Sequence, residues 1–138
     1  MKNYIHKVKY YETDKMGITH HSNYIRWMEE ARVYYLEQIG FGYDKLEEFG
    51  VISPVIGINC EYKESTKFND EIFIEVKIKE FKGVKLVIEY IMKNSKDNIV
   101  LIGESKHCFI GANNMPIILK KVLPDFADKL KELADSNS

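Results

Sequence analysis

Residues 11–32 read YETDKMGITHHSNYIRWMEEAR. From Ser22 to about Ile39 the apolar side chains recur every three or four residues, with charged side chains between them. This spacing predicts an amphipathic α-helix of about five turns. The apolar stripe of that helix consists of Tyr24, Trp27, Met28, Ala31, Tyr34 or Tyr35, and Leu36.

Capping residues stand at both predicted ends of this helix. Ser22 and Asn23 are candidate N-caps, because short polar side chains accept hydrogen bonds from the free amides of a first helical turn. Gly40 or Gly42 can end the helix by adopting a left-handed backbone conformation. The loop before Ser22 therefore leads directly into a helix N-terminus.

Most of the remaining chain is predicted to form β-strands. A first strand that contains Ile5 and Val8 precedes the helix and ends at Thr13–Asp14. After the helix, apolar and polar side chains alternate, so one face of the sheet is buried. The short polar connections predict that consecutive strands pair as antiparallel hairpins. The later predictions are strands at 53–65, 71–81, 84–93 and 99–110, a helical turn at 44–49, a last helix at 124–134 and a frayed tail at 135–138.

These elements predict an α+β fold in one domain that spans residues 1–138. A single helix with one apolar stripe can bury it only against the apolar face of the sheet, so we expect the antiparallel sheet to wrap around the helix. Such a sheet has open edge strands and excess apolar surface, which a second copy of the chain can cover. A homodimer is therefore the expected assembly.

The composition is that of a soluble globular protein, with 45% hydrophobic and 30% charged residues. No apolar run approaches the roughly 20 residues that cross a bilayer, and the first residues lack the apolar centre of a secretory signal. Cys60 and Cys108 are expected to be free thiols in a reducing cytoplasm. A net charge of −1 provides no field that would gather nucleic acid or an anionic membrane.

The loop before the helix is dense in reactive side chains. A carboxylate at Asp14, close to a helix N-terminus, is expected to be ionised at neutral pH and available as a nucleophile or general base. The free amides of the helix can stabilise the oxyanion that forms when a carbonyl is attacked. Hydrolysis of a thioester needs both a polarised carbonyl and an attacking oxygen.

The sequence has no P-loop, dinucleotide fingerprint or G-x-S-x-G elbow. It therefore gives no support to a serine or cysteine hydrolase.

A longer motif carries a family resemblance. The run Asp14-x-x-Gly17-x-x-x-His21-x-x-Tyr24-x-x-Trp27, continued by Glu30-Ala31-Arg32, resembles the signature of the 4-hydroxybenzoyl-CoA thioesterase family. Further matches to the layout of that family are Pro54-Val55-Ile56, Tyr62-Lys63 and Asn69-Asp70. The resemblance covers most of the chain from about Lys7 to Ile110. It implies the hot-dog fold, in which five or six antiparallel strands wrap around one long central helix, and dimers or tetramers with active sites between subunits.

The activity that the resemblance implies is hydrolysis of an acyl-CoA thioester, without a metal or organic cofactor. Asp14 falls on the catalytic aspartate, and the backbone N–H of His21 falls on the position that binds the thioester carbonyl. Gly17, Ser22 and Tyr24 are the expected substrate-binding residues. Histidine at position 21 resembles a branch that acts on short or medium acyl-CoA, whereas the aromatic-substrate branch more often has tyrosine there. The acyl group therefore stays open, and acyl carrier protein is an alternative to CoA.

Other interpretations of these residues compete with this one. Asp14 is also a common turn residue, the His21 side chain can serve only to order the loop, and Tyr24 can belong to the helix core. A metal site formed by Asp14, His20, His21 and His6 is weakly supported, because adjacent histidines lack helical spacing. The alternative functions are a non-catalytic acyl-CoA binding or sensing protein and a hydroxyacyl dehydratase of the same fold. Candidate cations for the CoA phosphates are Lys63, Lys67, Lys77, Lys79, Lys82, Lys85 and Lys106.

Overall fold

The computed structural model describes residues 2–137, which form five strands and four α-helices. The strands are β1 (Tyr4–Lys7), β2 (Val55–Tyr62), β3 (Glu71–Phe81), β4 (Lys85–Lys93) and β5 (Ile99–Cys108). The helices are α1 (Ser22–Gln38), α2 (Tyr43–Glu48), α3 (Leu119–Val122) and α4 (Pro124–Ser136). None of the helices within residues 2–137 is long and apolar enough to cross a bilayer.

The five strands form one antiparallel sheet in the order β1-β3-β4-β5-β2. Strand β1 pairs with β3 from Tyr4 opposite Ile74 to Lys7 opposite Glu71. Along β4 the side chains alternate between buried and half-buried positions, as the sequence alternation predicts. The α+β class and the five-stranded antiparallel sheet are therefore confirmed.

The prediction that β2 and β3 form a hairpin is wrong, because β2 lies beside β5 at the edge of the sheet. The segment between β2 and β3 bonds instead to the chain that precedes α1. Thr19 N–H donates to the Thr66 carbonyl at 2.8 Å, and Val8 N–H donates to the Asp70 carbonyl at 2.9 Å. These bonds satisfy backbone groups that a tight turn would have paired within the hairpin.

The first strand ends at Lys7, earlier than predicted, and Tyr10–Glu12 form a 3-10 turn. Glu12 closes this turn twice. Its backbone N–H donates to the Lys9 carbonyl at 3.0 Å, and its side-chain Oε1 accepts the Lys9 N–H at 2.7 Å. A side-chain carboxylate that accepts a backbone N–H three residues earlier offers the backbone an alternative to strand pairing. At Glu12 this alternative, the 3-10 turn, is formed.

Helix α1 matches its prediction within one residue, and its apolar stripe is buried: Tyr24, Trp27, Met28, Ala31, Tyr35 and Leu36. Gly40 ends the helix with φ +88°, whereas Gly42 precedes α2 with φ −62°. The predicted N-cap roles are wrong, because Ser22 is already the first helical residue and its amide donates to the ring of His20. The Asn23 side chain acts as a donor to the Glu12 carbonyl instead.

The C-terminal segment holds one helix more than predicted. Helix α3 precedes α4, and α4 continues to Ser136, so the predicted frayed tail is wrong for residues 135 and 136. Four side chains of α4 are buried, namely Phe126, Ala127, Leu130 and Ala134. Burial of this apolar face stabilises the helix. Ser138 lies outside the described residues.

The chain divides into two compact units. The first contains the chain up to Tyr35 with residues 60–76 and 90–103, and the second contains residues 36–59, 77–89 and those from Glu104 onward. Whether one domain spans the chain stays a prediction. In the second unit, the Phe126 ring stacks on Phe41 with 4.8 Å between centroids and meets Phe109 edge-on.

In the first unit, α1 packs on strands of the sheet. The Cys60 thiol lies 3.8 Å from the Met28 sulfur, and Arg32 donates a hydrogen bond to the Tyr90 hydroxyl at 3.0 Å. Both pairs are partly or fully buried. All the residues predicted to act in catalysis or substrate binding belong to this unit.

Candidate active site

Asp14 lies at the base of a tight turn before α1. Its backbone N–H donates to the Ile18 carbonyl at 2.9 Å, and its own carbonyl accepts the Gly17 N–H at 3.0 Å. Gly17 has φ +79°, a conformation that other residues rarely adopt, so glycine serves backbone geometry here. The turn holds Asp14 at a fixed place in the loop.

The Asp14 carboxylate is half-buried and has one oxygen available. Its Oδ1 accepts the Met16 N–H at 2.8 Å. The other oxygen, Oδ2, receives no hydrogen bond from any residue between 2 and 137. An ionised carboxylate oxygen with an unused lone pair can attack a carbonyl carbon or accept a proton from water.

A buried hydroxyl network holds the loop from the other side. Thr66 Oγ1 lies 2.6 Å from Thr19 Oγ1 and 3.0 Å from the Tyr24 hydroxyl. Burial raises the pKa of Tyr24, against the opposing effect of its hydrogen bonds to Thr66 and Thr19. Tyr24 is only 4% exposed, and its ring packs edge-on against Trp27 and Tyr62. A substrate-binding role for Tyr24 stays a prediction.

The backbone amide of His21 lies immediately before α1. Within the described part of the chain, the His21 N–H has no hydrogen-bond acceptor. The His21 carbonyl accepts from Tyr24 N–H at 3.4 Å and from the Tyr62 hydroxyl at 3.5 Å. The His21 side chain is exposed and stacks on the His20 ring with 4.3 Å between centroids. A free amide at a helix N-terminus is a donor for a developing negative charge.

Glu12 connects the loop, the 3-10 turn and α1. It is 5% exposed, and its carboxylate accepts hydrogen bonds from Trp27 Nε1 at 2.7 Å and Lys9 N–H at 2.7 Å. The carboxylate also lies 2.9 Å from His6 Nε2. Burial acts to raise the pKa of the Glu12 carboxyl, but the hydrogen bonds from Trp27, Lys9 and His6 outweigh it and the pKa is lowered.

The backbone carbonyl of Glu12 fixes the approach to α1. It accepts the His20 N–H at 2.8 Å and the Asn23 side-chain amide at 2.9 Å. The sequence interpretation assigned no role to Glu12 and considered Asn23 only as a candidate N-cap. No sequence signal singled out Glu12, because the predicted first strand also carries other charged side chains, among them Lys7 and Lys9.

An open cleft of about 880 Å³ contains the candidate nucleophile and the start of the helix. Of the predicted site residues, Asp14 and Ser22 line it, whereas Gly17, His21 and Tyr24 are not among its lining residues. The sequence interpretation missed the other lining residues, which are Tyr10, Tyr11, Thr13, Lys15, His20, Asn23 and Arg26. Lys15 and Arg26 form no ion pair within residues 2–137. The cleft can therefore receive an anionic group as well as a carbonyl.

Comparison with known proteins shows the family to which this chain belongs. The sequence profile described as the thioesterase-like superfamily matches residues 8–132. YneP of Bacillus subtilis is 34% identical over 121 residues, which cover 87% of this chain and 88% of that protein. The acyl-CoA thioesterase YbgC of Haemophilus influenzae is 30% identical over 91 residues, covering 64% of this chain and 67% of that protein.

The crystal structure of a DHNA-CoA thioesterase from Staphylococcus aureus is similar throughout. It superposes with a TM-score of 0.91 at 30% identity, over 99% of this chain and 95% of that chain. The hot-dog fold expected from the sequence is confirmed by this likeness. The narrower resemblance to the 4-hydroxybenzoyl-CoA thioesterase family stays a prediction.

Proposed function

Because the chain belongs to the thioesterase-like superfamily, we propose that it hydrolyses acyl-CoA thioesters with Asp14 as the reacting carboxylate and the start of α1 as the oxyanion site. The observation that carries this proposal is the free Oδ2 of Asp14 in the cleft that the first residues of α1 also line. The unpartnered His21 amide supplies a donor for the thioester carbonyl. These are the two parts that thioester hydrolysis requires.

Two routes fit this arrangement. In the first, Asp14 Oδ2 accepts a proton from water while the water oxygen bonds to the carbonyl carbon. The oxyanion forms, the carbon–sulfur bond breaks, and the thiolate takes up a proton to give free CoA. In the second, Oδ2 itself bonds to the carbonyl carbon and expels the thiolate, and water then hydrolyses the mixed anhydride. Both routes give one carboxylic acid and one thiol per water consumed.

The acyl group and its carrier belong to the same proposal. The similar structure from Staphylococcus aureus is described as acting on DHNA-CoA, and the relative from Haemophilus influenzae as an acyl-CoA thioesterase. The candidate substrates are therefore aromatic and aliphatic acyl-CoA, with acyl carrier protein as the alternative carrier. The exposed tyrosines of the cleft, Tyr10 and Tyr11, offer flat apolar surfaces to either acyl class.

We include a homodimer, or a tetramer built from it, in the proposed functional form. Strand β2 lies at the sheet edge and exposes Val55, Ile56 and Ile58, with Ile56 54% exposed. An edge strand with exposed apolar side chains favours pairing with another chain. A cytoplasmic location is part of the proposal too, supported by the two free cysteines, Cys60 and Cys108.

The test is release of free thiol from a panel of acyl-CoA and acyl carrier protein thioesters. We expect wild-type protein to release thiol and Asp14→Asn to lose at least about 100-fold in kcat, because the amide neither attacks nor accepts a proton. The matched control is Asp44→Asn, because Asp44 is an exposed aspartate whose Oδ1 likewise accepts a nearby backbone amide, that of Lys45. Asp14→Asn with wild-type turnover would remove Asp14 from the mechanism. A wild-type protein that binds acyl-CoA and releases no thiol would favour the sensor alternative.

A further inference from the structure

We infer that His20 is a second catalytic donor, whose Nε2–H binds the carbonyl oxygen of the thioester beside the His21 amide. This inference rests on the proposed thioesterase function. The sequence interpretation treated His20 as an exposed loop residue and, at most, as a ligand in a weakly supported metal site. Three observations about its ring carry the inference.

The first observation concerns the tautomer of His20. The Ser22 N–H at the start of α1 donates to His20 Nδ1 at 3.2 Å, and the Ser22 hydroxyl lies 2.8 Å from the same nitrogen. A ring nitrogen that accepts a backbone N–H carries no proton of its own. A neutral imidazole then has its proton on Nε2, where it is a hydrogen-bond donor.

The second observation concerns the position of the ring. His20 lines the cleft that contains Asp14, and Nε2 has no hydrogen-bond partner among the described residues. Its backbone N–H is bonded to the Glu12 carbonyl at 2.8 Å, and its ring stacks on His21. The backbone of His20 is therefore held by Glu12 and its ring by Ser22 and His21. The remaining donor of the ring, Nε2–H, is available to a molecule in the cleft.

The third observation is that His20 and Ser22, the first residue of α1, both line this cleft. The ring accepts from the first amide of α1, and the His21 amide precedes it by one residue. A neutral imidazole held by a helix N-terminus can polarise a carbonyl without transferring a proton. The His20 ring only donates a hydrogen bond in this inference, so the proton still passes between water, Asp14 and the leaving thiolate.

This arrangement gives Ser22 a definite part. Its amide and hydroxyl both meet His20 Nδ1, so Ser22 acts on the substrate through the His20 ring and is a positioning residue. The expected binding of substrate by Ser22 is then indirect. The cleft is also lined by the charged side chains of Asp14, Lys15 and Arg26.

The test separates donation to substrate from capping of the helix. Asparagine is a good capping residue whose side-chain oxygen can accept the Ser22 N–H, but its short amide does not reproduce the Nε2–H. His20→Asn is expected to keep the wild-type Tm within about 2 °C and to lower kcat by about 10- to 100-fold on the best thioester of the panel. His20→Ala is expected to lose both stability and kcat.

Two outcomes would overturn the inference. His20→Asn with wild-type kcat, beside an impaired His20→Ala, would show that the ring only caps α1. A long-range ¹H–¹⁵N NMR spectrum with the His20 proton on Nδ1 would contradict the tautomer. Either result leaves the proposed function intact if Asp14→Asn is inactive. If the wild-type protein releases no thiol, the proposed function itself is wrong.

Discussion

Glu12→Gln is a nearly isosteric change in a buried side chain whose carboxylate has three hydrogen-bond partners. Glu12 Oε1 accepts Lys9 N–H and faces His6 Nε2, and Oε2 accepts Trp27 Nε1–H. The best placement of a glutamine keeps its oxygen at the Oε1 position. Its NH₂ group then faces the Trp27 N–H, so one hydrogen bond to a charged acceptor is lost and two buried donors oppose each other. We expect a loss of about 2–3 kcal/mol in the free energy of unfolding.

The measurement is urea unfolding of Glu12→Gln and wild type at pH 7 and again at low pH. Because the pKa of Glu12 is lowered in the folded protein, its contribution is fully present above its unfolded pKa of about 4.3 and is lost as pH falls through the folded pKa. The difference between the two proteins should therefore shrink in acid. The control is Glu29→Gln on the exposed face of α1, which should change stability by less than about 0.5 kcal/mol.

Equal urea midpoints for Glu12→Gln and wild type at pH 7 would refute this reasoning. A large difference that stays constant into acid would also refute it, because a packing defect does not depend on the charge of the carboxylate. A double-mutant cycle with Trp27→Phe locates the effect further. Removing the indole N–H should lower the cost of Glu12→Gln by about 1 kcal/mol or more, since the opposed donors are then gone.

Thr66→Val should cost about 1–3 kcal/mol in urea unfolding, because it leaves the buried hydroxyls of Thr19 and Tyr24 without their shared partner; an unchanged midpoint would show that these hydroxyls find other acceptors. Ile56→Lys should convert the proposed dimer to monomer in sedimentation velocity and reduce thiol release with it, because it puts a charge on the exposed β2 edge. The control is Ile5→Lys on β1, the opposite edge strand, and a Ile56→Lys protein that stays dimeric would exclude the β2 edge as the interface.

Periodic patterns predicted the regular elements well. Helix α1 was placed within one residue of its ends, and β3 was placed at its observed bounds, because each carries an uninterrupted apolar period. The end of β1 and the partner of β2 were not predicted. The first depends on the side chain of Glu12 bonding to Lys9, and the second on bonds between residues 8–19 and the segment after β2. Neither contact has a periodic signal.

The candidate site was predictable only in part. Asp14 and the helix start follow from a short motif, since both belong to one continuous segment. The partners of Glu12 lie six residues before it, at His6, and 15 residues after it, at Trp27, so spacing alone did not reveal them. The role proposed for His20 depends on its side-chain bond to the Ser22 amide, and a linear pattern contains no information about that orientation.

The segment between β2 and β3 is attached to the reactive loop largely by main-chain atoms. Thr66, Asn69 and Asp70 use backbone groups to bind Thr19 and Val8. Main-chain bonds of this kind do not depend on the identity of most side chains. Substitutions at the exposed positions of this segment can therefore change its surface chemistry while the aspartate that precedes the long helix keeps its geometry.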